Sequence, residues 1–413
     1  MNNIRNVINQ FPFLLLFLVT LGMFTNDTQG VLNVSAALLF LYTLYIIITK
    51  KINVFSALIQ LIKGRKFLFL FCIWCLLCAI FFTYSGFMKD ALKALFDDWR
   101  YVVILTLFLI TFQHDEIKSK NIITYALIVT LAFIIFIVPI LKLIKGSDMA
   151  MYLQLRYGFA HYMTLLFPFT FSAFFIFEKA KLKILMLCLS IMAFLFLLYT
   201  GSRGGFLSIT IESLIILFLL SKNNKKFLLN IFSFMLLGMT IIIISYFTIP
   251  QVKNKVEQTL YSKDITSTRD KIAISRFPIF MQTHLNQLVG VGYGSVAYDQ
   301  YLKDNNALQF QGGMGYSKSR NESFYNNDEP FFLNILYNIG SIGLFLFCIT
   351  FFINIKDLIK SIKIEKNILN VGLLVSSIGY FLVYCLFEFI FLDIFILYNI
   401  LTAIFINRVL TKK

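Results

Sequence analysis

The sequence predicts an all-α polytopic membrane protein of about twelve transmembrane helices, with one large loop between the ninth and the tenth. Three observations predict it. Hydrophobic residues make up 59% of the 413 and charged residues only 14%, with a mean hydropathy of +0.79, more apolar surface than a soluble domain can hide. Runs of about 20 apolar residues recur from end to end, each long enough to cross a bilayer, and β-barrel alternation is absent. Lysines and arginines gather in alternate short connections, as they do in chains oriented against anionic lipid. That placement also accounts for the net charge of +16 without a nucleic-acid partner.

The apolar runs fall at 11–25, 31–49, 67–85, 95–113, 121–143, 159–177, 183–200, 205–221, 227–248, 331–354, 368–387 and 389–407. The run at 95–113 is the weakest, because Asp97, Asp98 and Arg100 crowd its start. The first run has no small-residue cleavage site behind it and reads as a retained helix. Cations at Lys50, Lys51, Lys118, Lys120, Lys179, Lys181, Lys225, Lys226, Lys360 and Lys363 mark one side as cytoplasmic. An even span count then puts both termini there. The organisation expected is nine helices over 1–248, a large outer loop over 249–330, and three helices with a cytoplasmic tail over 331–413.

The loop is rich in Asn, Gln, Ser, Tyr and Gly, and a connection of such length is usually functional. A helix is expected over 267–281, where Ile272, Ile274, Phe277 and Phe280 form an apolar face. The turn Gly290-Val291-Gly292-Tyr293-Gly294 follows, then a glycine-containing stretch at 305–327 that reads as a mobile flap or as partly disordered. There is no internal repeat of the kind that marks many transporters.

Reactive groups on the outer side are few. The turn at 199–205, Tyr-Thr-Gly-Ser-Arg-Gly-Gly, carries Arg203 among glycines. A guanidinium fork suits a phosphate or pyrophosphate, and bare glycine backbone such as Gly204 admits a bulky anion. Arg203 could equally end a helix by snorkelling. Arg269, Arg276 and Arg320 lie in the long loop. Glu329, just before Pro330, either caps the next helix or acts as a general base. Glu388 and Asp393 sit near the outer ends of the last two spans, where a carboxylate is functional or ion-paired. His161 reads as a hydrogen-bonded interface residue or as part of an acceptor site. The Cys72-Ile-Trp-Cys75 spacing lies in apolar sequence, and with three histidines in the chain neither a redox nor a metal centre is expected.

Taken in order, these motifs resemble the O-antigen ligase and polymerase superfamily of bacterial inner-membrane enzymes. Thr200-Gly201-Ser202-Arg203-Gly204-Gly205 is similar to the family's Ser-Arg-Gly turn. Arg269 followed by a helix and the Gly-x-Gly-x-Gly turn resembles its large periplasmic loop. Asn338-Ile339-Gly340-Ser341-Ile342-Gly343 resembles its closing G-x-x-G. The likeness spans 150–410, and the N-terminal third matches in hydropathy alone.

The resemblance implies a glycosyltransferase at the periplasmic face that needs no metal or other cofactor. Its donor would be an undecaprenyl-pyrophosphate-linked oligosaccharide, with the diphosphate held by Arg203 and by loop arginines drawn from Arg269, Arg276 and Arg320. A glycan acceptor, with His161 near it and Glu329 as base, would attack the anomeric carbon with inversion. The lipid bilayer and a chain-length regulator protein are the other partners implied. Ligases of this family carry His-Asn where this chain has Glu329-Pro330, and that departure favours a polymerase of O-antigen repeat units over a ligase acting on lipid A–core. A lipid-linked oligosaccharide transporter is the third reading.

Overall fold

The computed structural model describes residues 2–25, 28–112, 115–144, 156–221, 224–261, 269–310, 313–317, 321–326 and 330–406. The chain before the loop forms α1 (Asn2–Met23), α2 (Gln29–Lys50), α3 (Val54–Gly64), α4 (Lys66–Phe81), α5 (Met88–Thr111), α6 (Glu116–Ile144), α7 (Arg156–Ile176), α8 (Ala180–Thr200), α9 (Arg203–Leu220) and α10 (Asn224–Thr248). The loop holds α11 (Pro250–Tyr261), α12 (Arg269–Phe280), α13 (His284–Val289), α14 (Ser295–Asp304) and an antiparallel hairpin of β1 (Met314–Ser317) and β2 (Glu322–Tyr325). After it come α15 (Phe331–Ile364), α16 (Ile368–Ile378) and α17 (Leu392–Phe405).

Every apolar run predicted from the sequence falls on a helix, but fewer of these helices qualify as spans. Among the described residues eight are long and apolar enough to cross a membrane; a ninth arises if α3 and α4, which meet at 97°, are counted as one. The apolar stretches Gln10–Met23 and Leu392–Phe405 are short. Helix α5 carries Lys89, Asp90, Lys93, Asp97, Asp98 and Arg100 in its first thirteen residues, so length and composition support eight or nine spans where the runs predict about twelve.

The centre of the bundle is α7 and the stretch Ile368–Leu386 that α16 opens, each with 83% of its apolar window buried, against 6% for the peripheral α10. Small residues let them meet: a Cβ on Gly372 of α16 would sit 2.3 Å from the Phe169 ring of α7. At the end of the bundle away from the loop, Arg65 is 1% exposed and pairs with Asp357 of α15 at 2.6 Å. This tie fixes the bend between α3 and α4.

The loop docks through two glycine turns that fit each other. Helix α15 breaks at Gly340, which adopts φ 71°. Around the break, the Tyr337 carbonyl accepts from Val291 N (2.8 Å), the Asn338 carbonyl from Gly292 N (3.0 Å), and the Ile339 carbonyl from the Trp74 indole (2.8 Å). Tyr84 N donates in turn to the Val291 carbonyl at 2.8 Å. Both Gly290 (φ 76°) and Gly340 need the left-handed region. They also need the missing Cβ: one would lie 2.4 Å from Asn338 C, the other 2.1 Å from Leu288 O.

Above this joint the loop builds its own small core of Phe280, Val291, Tyr298, Tyr301, Leu302 and Tyr325, into which Tyr337 of α15 projects. Phe280 stacks on Tyr337 at 4.1 Å between centroids. The stretch expected to be a flap or disordered contains, in its described part, the β1–β2 hairpin. It is held by Asp299, which accepts from Tyr325 N at 2.8 Å. An all-α reading therefore needs that one correction. Pro330 is the N-cap of α15.

Gly340→Ala should cost well beyond the ~1–2 kcal/mol of a left-handed alanine, because the carbonyl of Leu288 also has to move. Gly86 has φ 79° with open space around it, so Gly86→Ala should show the conformational cost alone. Thermal melts of the two variants in detergent check this; equal midpoints would remove the docking joint from the fold's framework.

Candidate functional site

The Arg203 turn is built by local chemistry. Helix α8 ends at Gly201 in the left-handed region (φ 64°), a conformation that only glycine adopts without cost. Ser202 caps α9, its Oγ accepting from Gly205 N at 3.2 Å. Arg203 is thus the first residue of α9, half-buried, at the end where the helix dipole is positive. The glycines beside it serve packing. A Cβ on Gly204 would sit 3.0 Å from Cβ of Phe387, and one on Gly205 would sit 2.8 Å from Leu197. Gly204 is buried against Phe387, where the sequence suggests backbone bared to a ligand.

Phe387 is where the second arginine arrives. Arg269, first residue of α12, donates through Nη1 to the Phe387 carbonyl (2.6 Å) and through Nη2 to Glu388 Oε2 (2.5 Å). Glu388 is only 3% exposed, so this is a charge-assisted bond in a setting of low dielectric. Glu388 therefore has the basic partner that a carboxylate at that depth requires. The turn of Arg203 and the side chain of Arg269 converge on one short segment, 387–391.

The segment is tied from a third side by His161 of α7. Tyr380 OH accepts from Phe391 N at 3.1 Å and lies 2.8 Å from His161 Nδ1. The imidazole is 1% exposed, with the rings of Tyr384 and Phe391 each at 5.0 Å. His161 is thus buried against Tyr380 and the aromatic rings around the segment. Between α16 and the segment the chain widens into a π-helical turn (Gly379–Val383) and then tightens into a 3-10 turn (Tyr384–Leu386). Single π-helical turns often accompany functional sites. Gly379 is needed there, since a Cβ would fall 1.9 Å from the Glu212 carboxylate.

Of the remaining predicted site residues, Arg276 has a different place from the one expected. It is fully buried, and its guanidinium donates to Tyr298 OH, to the Asn326 carbonyl (2.9 Å) and to the Gly313 carbonyl (3.1 Å). Those bonds tie α12 and α14 to the hairpin, so the side chain braces the loop instead of presenting a fork to a phosphate. Arg320 and Glu329 lie outside the described residues. The sequence reading missed Phe387 and Tyr380 altogether. Nothing local distinguishes them, as they are one Phe among 48 and one Tyr among 20.

Residues 188–348 match the family model described as O-Antigen ligase. The match starts within α8 and ends just past the Gly340 break, so it covers the Arg203 turn, Arg269 and the glycine joint. It thereby supports the resemblance to the O-antigen ligase and polymerase superfamily. His161 and segment 387–391 lie outside it. No curated protein matches the chain.

The Arg269–Glu388 pair yields a test. Removing one partner of a buried pair costs up to about 3–5 kcal/mol, because the other is left uncompensated. Glu388→Gln and Arg269→Met should each lower the melting midpoint, and the double variant should recover part of the loss. Strictly additive losses in this cycle would mean that the two side chains do not support each other.

Proposed function

We infer, from the place of residues 188–348 in the O-antigen ligase and polymerase superfamily, that this chain is a glycosyltransferase of the bacterial inner membrane. It works at the periplasmic face on undecaprenyl-pyrophosphate-linked glycans and joins O-antigen repeat units. The observation that carries the reading is the convergence of the Arg203 turn and Arg269 on Phe387. A guanidinium on the segment, and a second arginine at the helix N-terminus whose next residue packs on it, suit the diphosphate of a lipid-linked donor.

In this reading the arginines stabilise the negative charge that grows on the diphosphate as the glycosidic bond breaks. An acceptor hydroxyl attacks the anomeric carbon from the opposite face. Its proton passes to a carboxylate, for which Glu329 is the candidate, and the lipid diphosphate departs. The loop core over the joint excludes water that would otherwise hydrolyse the donor. Arg276 acts at one remove, by holding α12 so that Arg269 reaches the segment. A chain-length regulator protein is the partner expected for such a polymerase.

The matched model's description favours a second reading, transfer of the finished glycan to lipid A–core. Against it stands Glu329-Pro330 where ligases of the family carry His-Asn. Deleting the gene separates the two. Loss of a polymerase leaves core capped with a single repeat unit on a lipopolysaccharide gel. Bare core with accumulating lipid-linked polymer would instead make the chain a ligase.

Arg203→Ala should abolish polymer while the protein still inserts, and Arg203→Lys, which keeps the charge but loses the fork, should fall between. Normal polymer from Arg203→Ala would remove the diphosphate role. Glu329→Gln should cost at least about a hundredfold in rate if Glu329 is the base; full activity would return it to helix capping.

A further inference from the structure

Segment 387–391 has a second side. There it borders a cavity of about 350 Å³, within the ~300–1,000 Å³ of small-ligand sites. The walls come from parts of the chain far apart in sequence: Asp98 of α5, Tyr293 of the glycine turn, Asn334 and Asn338 of α15, and Asp393 of α17, with Phe389 and Phe391 from the segment itself. Apart from the two phenylalanines of the shared segment, none of these residues contacts Arg203 or Arg269 in the site described above.

The polar groups are set for a ligand. Asp98 is exposed at the cavity and accepts from the Tyr293 hydroxyl at 2.6 Å. Burial foremost, and then the nearby Asp98, holds that phenol well above its usual range, so it keeps its proton and orients the carboxylate. Asn334 and Asn338 are each 6% exposed. Asn338 Nδ2 donates to the Asn334 carbonyl at 2.8 Å, while Asn338 Oδ1 and Asn334 Nδ2 have no hydrogen-bond partner among the described residues. Buried amide atoms are normally paired in folded proteins. A donor and an acceptor lining one cavity beside two carboxylates therefore mark a place that a polar ligand completes.

The chemistry selects the ligand. Two carboxylates repel a phosphate, so the donor's diphosphate does not belong here. A lipid tail would strand four polar side chains. Among the described residues no three His, Cys, Asp or Glu are grouped to hold a metal ion. A neutral ring rich in hydroxyls fits every wall: its O–H groups donate to Asp98, Asp393 and Asn338 Oδ1, an oxygen accepts from Asn334 Nδ2, and its C–H face lies on phenylalanine rings. We propose that this cavity is a carbohydrate subsite that holds one sugar ring of the acceptor glycan. Its assignment to the acceptor rests on the glycosyltransferase reading above; the prediction that it binds sugar does not.

The test is direct binding by the purified full chain in detergent. The probe is the oligosaccharide repeat unit released by mild acid from the surface polysaccharide of the cell that makes the protein. Trp99 adjoins Asp98 and meets Tyr293 edge-on at 6.4 Å between ring centroids, so its fluorescence should report occupancy. Saturable binding is expected, weakened roughly tenfold or more by Asp98→Asn and by Asp393→Asn. It should also be weakened by Ala94→Leu, which fills the cavity and spares both acids, and a melt of each variant identifies any that misfolds. Absence of saturable binding, undiminished binding in folded cavity variants, or binding of putrescine in place of the sugar would overturn the subsite. The two readings fail separately: normal polymer from Arg203→Ala removes the transferase mechanism, whereas an unchanged probe affinity in the cavity variants removes only the subsite.

Discussion

A helix that breaks inside an apolar medium leaves carbonyls with no water to turn to, and each must find a donor within the protein. In this chain the break at Gly340 is met by the turn at 290–294, whose N–H groups, with the Trp74 indole, take up three carbonyls in succession. The fit is mutual, because each turn places a glycine where the other's backbone passes. Much of the functional geometry follows from this joint. It sets the height of the loop over the bundle. It thereby brings Arg269 within reach of Glu388 on one side and Tyr293 within reach of Asp98 on the other.

What could be read from the sequence was what is local. Apolar runs locate helices because burial or lipid contact needs about 20 such residues in a row. The helix at 269–280, the Arg203 turn and the glycine motifs are also written in neighbouring residues. Pairing across the fold is not. Arg269 and Arg276 are the same residue type on the same helix, yet one reaches the Glu388 carboxylate and the other is sealed among tyrosines and main-chain carbonyls. Only the elements packed against each decide that. The hairpin was illegible for a related reason: its strands are four residues each, too short for alternation to show, and are held by Asp299 and Arg276 from other elements. Gly204 carried a true signal with a different cause, since the space it leaves is occupied by Phe387. Asp98 drew notice only as a charge that weakened a span, and its meaning depends on Tyr293, which lies 195 residues further on.

Segment 387–391 is the strut that these pairings share. Gly204, Arg269 and the Tyr380–His161 couple fix it from three helices, while Phe389 and Phe391 face the acidic cavity. A transfer between two glycans makes opposite electrostatic demands: cations where a diphosphate departs, hydrogen-bond acceptors where hydroxyls are held. Placing both on one surface would let arginines and carboxylates neutralise each other. Here one carboxylate, Glu388, is paired with Arg269, and the other two stand on the far side of the strut. A strut this short and this tightly held keeps the two regions at a fixed separation. Such fixing is what makes the reaction of two bound molecules effectively unimolecular, and misplacement by about 1 Å can forfeit much of it. The residues that govern rate in the proposed reaction therefore include side chains that touch neither glycan, and Tyr380, buried beneath the segment, is the foremost of them.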